Sequence, residues 1–234
     1  MSDFAQHAAD LFGLTLSAEQ VAAFDLYAQA LAAWNAHTNL TAIIEPEAVR
    51  VRHFLDSLSL VGLVKGSSTV LDVGTGAGFP GLPLAMVYPD VQVTLLESTG
   101  KKIKFLEHIA QQLGLKNVHT LNARAEDAGH LPDQRGRYDV VVARAVARMP
   151  ALVEYLLPFA RVGGKVIAMK GDTAQQETQD AKHALQLLGG RLNRIESVQL
   201  PGLEQTHYLV IIEKTDPTPA GYPRKPGIPT RKPL

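Results

Sequence analysis

Cysteine is absent from the 234 residues. That excludes disulfides, thiolate zinc sites and any thiol nucleophile, and it fits a reducing compartment. An excess of either charge is also missing, because 23 Lys and Arg balance 23 Asp and Glu. Bulk charge therefore recruits no polyanion, and any nucleic-acid contact must come from a local patch. No apolar run is long enough to cross a bilayer. The segment Met1 to Leu14 sets Asp3, His7 and Asp10 among its apolar residues, so it lacks the basic start and apolar core of a secretory signal. These absences lead us to expect a cytoplasmic protein with no membrane partner. The P-loop spacing is missing, since Gly100-Lys101 has neither the upstream Gly nor the following Ser or Thr. The eight His are scattered without a helical i, i+4 pair, so no metal is assigned.

What is present has two rhythms. Val21, Phe24, Ala28, Leu31 and Trp34 recur at helical spacing up to the turn-prone stretch Asn35 to Asn39. Pro46 then suits the first turn of a second helix carrying Val49, Phe54, Leu58 and Val61. From Ser68 onward, short β-branched runs alternate with helical stretches. Thr69 to Val73, Val91 to Leu96, Asn117 to Leu121, Tyr138 to Ala143 and Lys165 to Met169 read as strands. Leu82 to Tyr88, Lys101 to Leu113, Ala151 to Phe159 and Ala174 to Leu188 read as helices. Such alternation implies a parallel sheet covered on both faces. Arg191 to Gln199 and His207 to Glu213 read as a closing antiparallel hairpin. The expected organisation is an N-terminal helical cap over 1–66, an α/β domain over 67–216, and a basic Pro/Gly-rich tail over 217–234, extended and without a packed core of its own.

The segment Val70 to Gly81 joins a buried strand to a helix and carries Gly74, Gly76, Gly78 and Gly81. Glycines there permit positive φ and close approach of a ligand, at the sheet edge where open α/β folds bind ligands. Gly76, Gly78 and Gly81 also meet the dinucleotide GxGxxG spacing, a weak signal alone. Two features favour a cationic ligand over a pyrophosphate. Pro80 and Pro83 remove N–H donors at the helix start, and Asp72 adds a carboxylate beside the turn. The balance favours S-adenosylmethionine, whose amine and sulfonium charges suit Asp72. Glu97, 23 positions after Gly74, fits the acceptor of two ribose hydroxyls. Ala125 and Glu126 after the third strand are placed for the adenine edge, and the acidic residues there also suit a helix N-terminus.

Acceptor chemistry narrows further. Pyrimidine C5 methylation commonly needs a Cys nucleophile, and there is none. Exocyclic amine methylation favours an Asn/Asp-Pro-Pro-aromatic run where this chain has Arg144 to Pro150. Guanine N7 is compatible, since it already presents a lone pair and loses no proton on methylation. Arg144 would be the central catalytic residue, with Arg148 and Lys170 as phosphate or base contacts. A structural pairing of Arg144 with Asp72 or Glu126 is the competing role.

Trp34-Asn35, Asn39-Leu40-Thr41, Arg52 to Ser57, Asp72 to Gly81, Leu96-Glu97-Ser98, Arg124-Ala125-Glu126, Arg144 to Ala147, Lys170-Gly171 and Arg224 to Gly227 together resemble the bacterial small-subunit ribosomal RNA methyltransferase G family, also called glucose-inhibited division protein B. The resemblance runs through nearly the whole chain. It implies a Rossmann-like class I S-adenosylmethionine-dependent methyltransferase fold with a mostly parallel seven-stranded sheet. It also implies methylation of guanine N7 in 16S ribosomal RNA of the 30S subunit or its assembly intermediate, with cofactor contacts at Gly74, Phe79, Ala125, Glu126 and Arg144. Phe79 departs from an often aliphatic residue there. A methyltransferase acting on a protein or small molecule and an NAD-binding oxidoreductase are the alternatives.

RNA contacts are expected from Arg52 and His53, although His53 could equally be a hydrogen-bonded core residue. Lys101, Lys102 and Lys104 suit either RNA or a solvated helix face. Arg224, Lys225, Arg231 and Lys232 lie in the tail with no acidic residue among them. A flexible tail of this kind would order on phosphates, and its loss should spare cofactor binding. A monomer is expected.

Overall fold

The computed structural model describes residues 3–234. Met1 and Ser2, the start of the segment read above as lacking a secretory signal, lie outside the described residues. Seven strands form one sheet: β1 Thr69–Val73, β2 Gln92–Glu97, β3 Val118–Asn122, β4 Tyr138–Arg144, β5 Ala160–Lys170, β6 Gly190–Val198 and β7 His207–Lys214. Their order is β3-β2-β1-β4-β5-β7-β6. The first five strands pair in parallel, and β7 pairs antiparallel with both β5 and β6. The expected architecture is therefore present, hairpin included. β5 starts earlier than expected because Ala160 already pairs with Tyr138 ahead of a register shift.

Period-two alternation sends neighbouring residues of each central strand to opposite sides. Val70, Val140 and Val142 join the core on the cap side, whereas Leu71, Val141 and Ala143 join the core on the other. Both faces are covered, by α6 Gly81–Val87, α7 Gly100–Gln112, α8 Ala125–Ala128, α9 Met149–Leu156, α10 Ala174–Asp180 and α11 Lys182–Leu187 together with the cap and tail helices below. The single helix expected over Ala174 to Leu188 is split at Ala181.

The cap holds α1 Asp3–Phe12 and α2 Ala18–Thr38. Ser17 and Gln20 form a capping box at the start of α2, and Asn39 ends it in the left-handed conformation. Asn35 then fixes the exit by accepting from the N–H groups of Leu40 and Thr41. The helix expected after Pro46 is broken into α3 Pro46–Val49, a π turn Arg50–Leu55, α4 Asp56–Leu58 and α5 Val61–Val64. In the π turn the Asp56 N–H reaches Val51 O, five residues back. Cap and sheet meet through an aromatic cluster. Tyr27 stacks on Phe79 at 5.3 Å, Phe54 lies 5.9 Å from Phe79, and Trp34 packs on Phe105 and His108 of α7.

The tail differs from its expectation. Arg135 clamps it by donating to the carbonyls of Thr218, Pro219 and Tyr222. His130 Nε2 donates to Pro223 O at 2.7 Å, and Tyr222 and Leu234 pack on the core. Arg224 meets the fully buried Glu154 with a 2.6 Å ion pair and a backbone bond of 2.7 Å. The tail is thus docked and ends in a short helix, α12 Ile228–Arg231. Its Lys and Arg residues suggested solvation, but the segment also carries Tyr222, Pro223 and Pro229, which are buried or partly buried. Among the described residues no helix is long and apolar enough to cross a membrane.

Candidate active site

The turn after β1 takes the conformation that its glycines permit. Gly74, Gly76 and Gly78 have φ of +69°, +61° and +101°. A Cβ on Gly74 would also fall 2.7 Å from Val146. The following helix start has no anion site. Gly81 N–H donates to Asp72 Oδ2 at 2.8 Å, Leu82 N–H to Gly78 O, and Leu84 N–H to Pro80 O, while Pro83 has none to give. Every amide of that first turn is thus spent or missing, which removes the pyrophosphate cradle of a dinucleotide enzyme.

Beside the turn, at the carboxyl ends of β1 and β2, lies a cavity of about 240 Å³. Gly74, Glu97, Ala125, Glu126, Val146, Tyr155 and Thr230 are among its walls. Glu97 is held by Gly76 N–H at 3.2 Å and Thr99 N–H at 2.8 Å, and a carboxylate so held keeps lone pairs for hydroxyl donors. Glu126 is fixed by Gly227 N–H of the tail at 2.9 Å, and Tyr155 meets Thr230 at 2.7 Å. Asp72 stands behind the turn, fully buried, and does not line the cavity. Its Oδ2 accepts from Thr75 and Gly81, but its Oδ1 is buried without a partner among the described residues. Burial pushes its pKa up to about 6, against the pull of those two donors and of Arg144. The site fits S-adenosylmethionine on three counts: a backbone open to close approach, a carboxylate for the ribose, and an anion whose burial a cationic ligand would offset.

Arg144 ends β4, and neither Asp72 nor Glu126 is its partner. Its Nη1 donates to Asp56 Oδ2 and to Arg52 O, both at 2.8 Å, and its Nη2 to His53 Nδ1 at 3.1 Å. The guanidinium also lies 5.2 Å from the Phe79 ring centroid, and His53 stacks on the same ring at 4.4 Å. Because Arg144 can only donate, His53 Nδ1 accepts, and its Nε2 carries the proton toward Thr41 Oγ1 at 2.9 Å. Burial and the Arg144 charge lower the His53 pKa to about 4, so the ring is neutral at physiological pH. Immediately after Arg144, Ala145 has φ +55°, a conformation costing about 1–2 kcal/mol that turns the chain away from the strand.

Beside Arg144 and Ala145 lies a second, wider cavity of about 780 Å³. Arg52, His53, Asp56, Arg144 and His207 line it, with residues 202–205 of the β6–β7 connection. Asp56 bridges two strands there, since its Oδ1 is 2.7 Å from His207 Nδ1. Sequence reasoning missed Asp56 and His207 as site residues, and also Tyr155 and Thr230.

The sequence-derived residues therefore divide. Gly74, Glu97, Ala125 and Glu126 converge on the smaller cavity, while Arg52, His53 and Arg144 converge on the larger. Phe79 supports from beneath, and Asp72, Gly76 and Gly78 shape the turn without lining the smaller cavity. Three of the expected RNA contacts already hold partners within the protein. Lys170 pairs with Glu177 at 2.6 Å, Arg224 pairs with Glu154, and His53 is buried between Phe79 and Thr41. Arg148, Lys225, Arg231 and Lys232 are exposed.

A family model described as rRNA small subunit methyltransferase G matches residues 20–207. A ribosomal RNA small subunit methyltransferase G of Dehalococcoides mccartyi is 47% identical over 223 residues, covering 95% of each chain. Another, of Alkaliphilus metalliredigens, is 45% identical over 224 residues, covering 95% of this chain and 94% of the relative. Among solved structures, M. jannaschii TYW2 in complex with AdoMet aligns with a TM-score of 0.56 at 15% identity, covering 69% of this chain and 76% of that one. The α/β fold is thus shared with that solved structure. With the turn, the two cavities and a match spanning cap and sheet alike, the chain belongs to the ribosomal RNA small subunit methyltransferase G family.

Proposed function

We propose that this enzyme transfers a methyl group from S-adenosylmethionine to N7 of one guanosine in 16S ribosomal RNA, presented by the 30S subunit or its assembly intermediate, and that it works as a monomer in the cytoplasm. When bound, the cofactor supplies an electrophilic methyl group. Glu97 holds its ribose, Ala125 and Glu126 its adenine edge, and Gly74 admits it to the backbone. Arg144 orients the acceptor base in the wider cavity. Arg52 and Arg148, with Lys225, Arg231 and Lys232 of the docked tail, meet phosphates.

The observation that supports the N7 reading is that the groups around Arg144 are poorly suited to take a proton, the open His207 Nε2 included, because Asp56 biases that ring toward its protonated form. His53 Nδ1 is occupied by Arg144, and the Asp56 carboxylate is shared between Arg144 and His207. The remaining carboxylate there, Glu204, is exposed on the β6–β7 connection. A nucleophile that surrenders no proton is the acceptor such a site can serve. The test is methylation of undermodified 30S subunits, followed by chemical strand scission at 7-methylguanosine. Cleavage at a single guanosine is expected; label incorporated without scission would place the methyl group on another atom and end the N7 reading.

A further inference from the structure

His207 has one ring nitrogen committed and one free. Its Nδ1 donates to Asp56 Oδ1, while Nε2 has no hydrogen-bond partner among the described residues and the residue lines the wider cavity. It is the first residue of β7, and because β7 runs antiparallel to β5 it starts at the edge where β4 ends in Arg144. Asp56, only 4% exposed at its side chain, therefore fixes two donors toward one cavity. Arg144 has spent three of its five N–H donors, on Arg52, Asp56 and His53, and keeps two.

We propose that His207 is a base-reading residue of the acceptor site: held by the Asp56 carboxylate that also holds Arg144, its imidazolium donates from Nε2 to O6 of the target guanine. The proposal rests on the N7 reading above. Guanine presents N7 and O6 along one edge, and N7 must stay free to take the methyl group, so O6 is the atom left for donors. Arg144 and a protonated His207 can only donate. Adenine places an amine donor where guanine has O6, and would meet like with like. Asp56, as the positioning residue, keeps both donors oriented without touching the base.

The ring's surroundings favour the protonated form. Asp56 of α4 raises the His207 pKa above its ordinary value of 6.5, against burial and the charges of Arg144 on β4 and Arg52 in the π turn. Glu204 of the β6–β7 connection lines the same cavity. Activity that needs the imidazolium is present below that raised pKa and lost as pH rises through it.

The experiment compares wild type, His207→Gln and His207→Phe on undermodified 30S subunits across pH, with S-adenosylhomocysteine affinity and Tm measured on each. His207→Phe keeps a ring but no donor, and is expected to lose on the order of tenfold in kcat/KM. His207→Gln regains part of that loss through its amide. Both keep cofactor affinity within about twofold, and neither shows the alkaline fall that wild type shows. Wild-type kcat/KM and pH profile in His207→Phe would overturn the proposal, as would a lowered Tm with unchanged kinetics, the signature of a mere brace. Should His207→Phe fail to fold, the pH profile of His207→Gln decides, and a retained alkaline fall overturns the proposal. If wild type itself makes no 7-methylguanosine, the N7 reading falls first and this proposal falls with it.

Discussion

Burial raises the pKa of Asp72 in the free protein, and the cofactor should lower it again. With its pKa raised to about 6, Asp72 takes up a proton as pH falls below that value. A ligand bearing ammonium and sulfonium charges favours the ionised form, so S-adenosylmethionine affinity should rise between pH 5 and pH 7. Calorimetry of Asp72→Asn should show weaker and nearly pH-independent binding; an unchanged pH slope in this variant would place the titrating group elsewhere. The same shift has a stability sign. A carboxyl whose folded pKa lies above its unfolded value of 3.8 contributes stability that is present below pH 3.8 and lost as pH rises through about 6. The change is roughly 3 kcal/mol. Asp72→Asn should therefore raise the Tm of the free protein at pH 8 while weakening the cofactor complex. Arg144 calls for a gentler substitution than removal. Truncating it leaves Asp56 buried with His207 alone, a loss of up to about 3 kcal/mol. Arg144→Lys keeps the charge but loses the fork that reaches Asp56, Arg52 and His53 together. Its turnover on 30S subunits should drop about 100-fold, with S-adenosylhomocysteine affinity nearly unchanged; wild-type turnover would remove Arg144 from the chemistry.

Among the elements, the tail departs furthest from what its composition implies. Deleting residues 223–234 would strip Glu154 of its Arg224 partner and Glu126 of the Gly227 N–H, and remove Thr230 from the wall of the smaller cavity. An unpaired carboxylate that is fully buried costs about 3–5 kcal/mol. The truncated protein should melt lower and bind S-adenosylhomocysteine more weakly, and adding Glu154→Gln should recover part of the Tm but not the affinity. Cofactor affinity equal to wild type after truncation would show that the tail does not form that wall. The strands and the glycine turn were legible because their signals are local: β-branched runs, and Gly where the backbone must take positive φ. Asp56 and His207 stand 151 positions apart, and Arg224 and Glu154 stand 70, so no window along the chain encodes either pairing. The π turn left one trace, the five-residue interval from Val49 to Phe54 where a helix spaces its apolar residues by three or four.

Across the whole molecule, charge is balanced in sum and uneven in place. With 23 residues of each sign, RNA affinity depends on which cations remain uncommitted. Lys225, Arg231 and Lys232 are exposed, whereas Lys170 and Arg224 are held by buried carboxylates. Replacing the first three by Gln should reduce the salt slope of RNA binding by about 2–3 and raise KM for 30S subunits. Cofactor affinity should not move. A slope equal to wild type would send the phosphate contacts to another face. The sequence conveyed a cap, a sheet and a cofactor edge, but not that the cap supplies the anion holding Arg144.

Trp34 is the single indole of the chain, and it sits where α2 of the cap meets α7 of the sheet domain, 5.5 Å from Phe105 and 5.2 Å from His108. Its emission therefore reports one contact surface and nothing else. Any lifting of the cap, with or without melting of the strands, can be followed as a wavelength shift in the unlabelled protein. Set beside circular dichroism of the sheet, that signal tells whether cap and sheet come apart together or in turn.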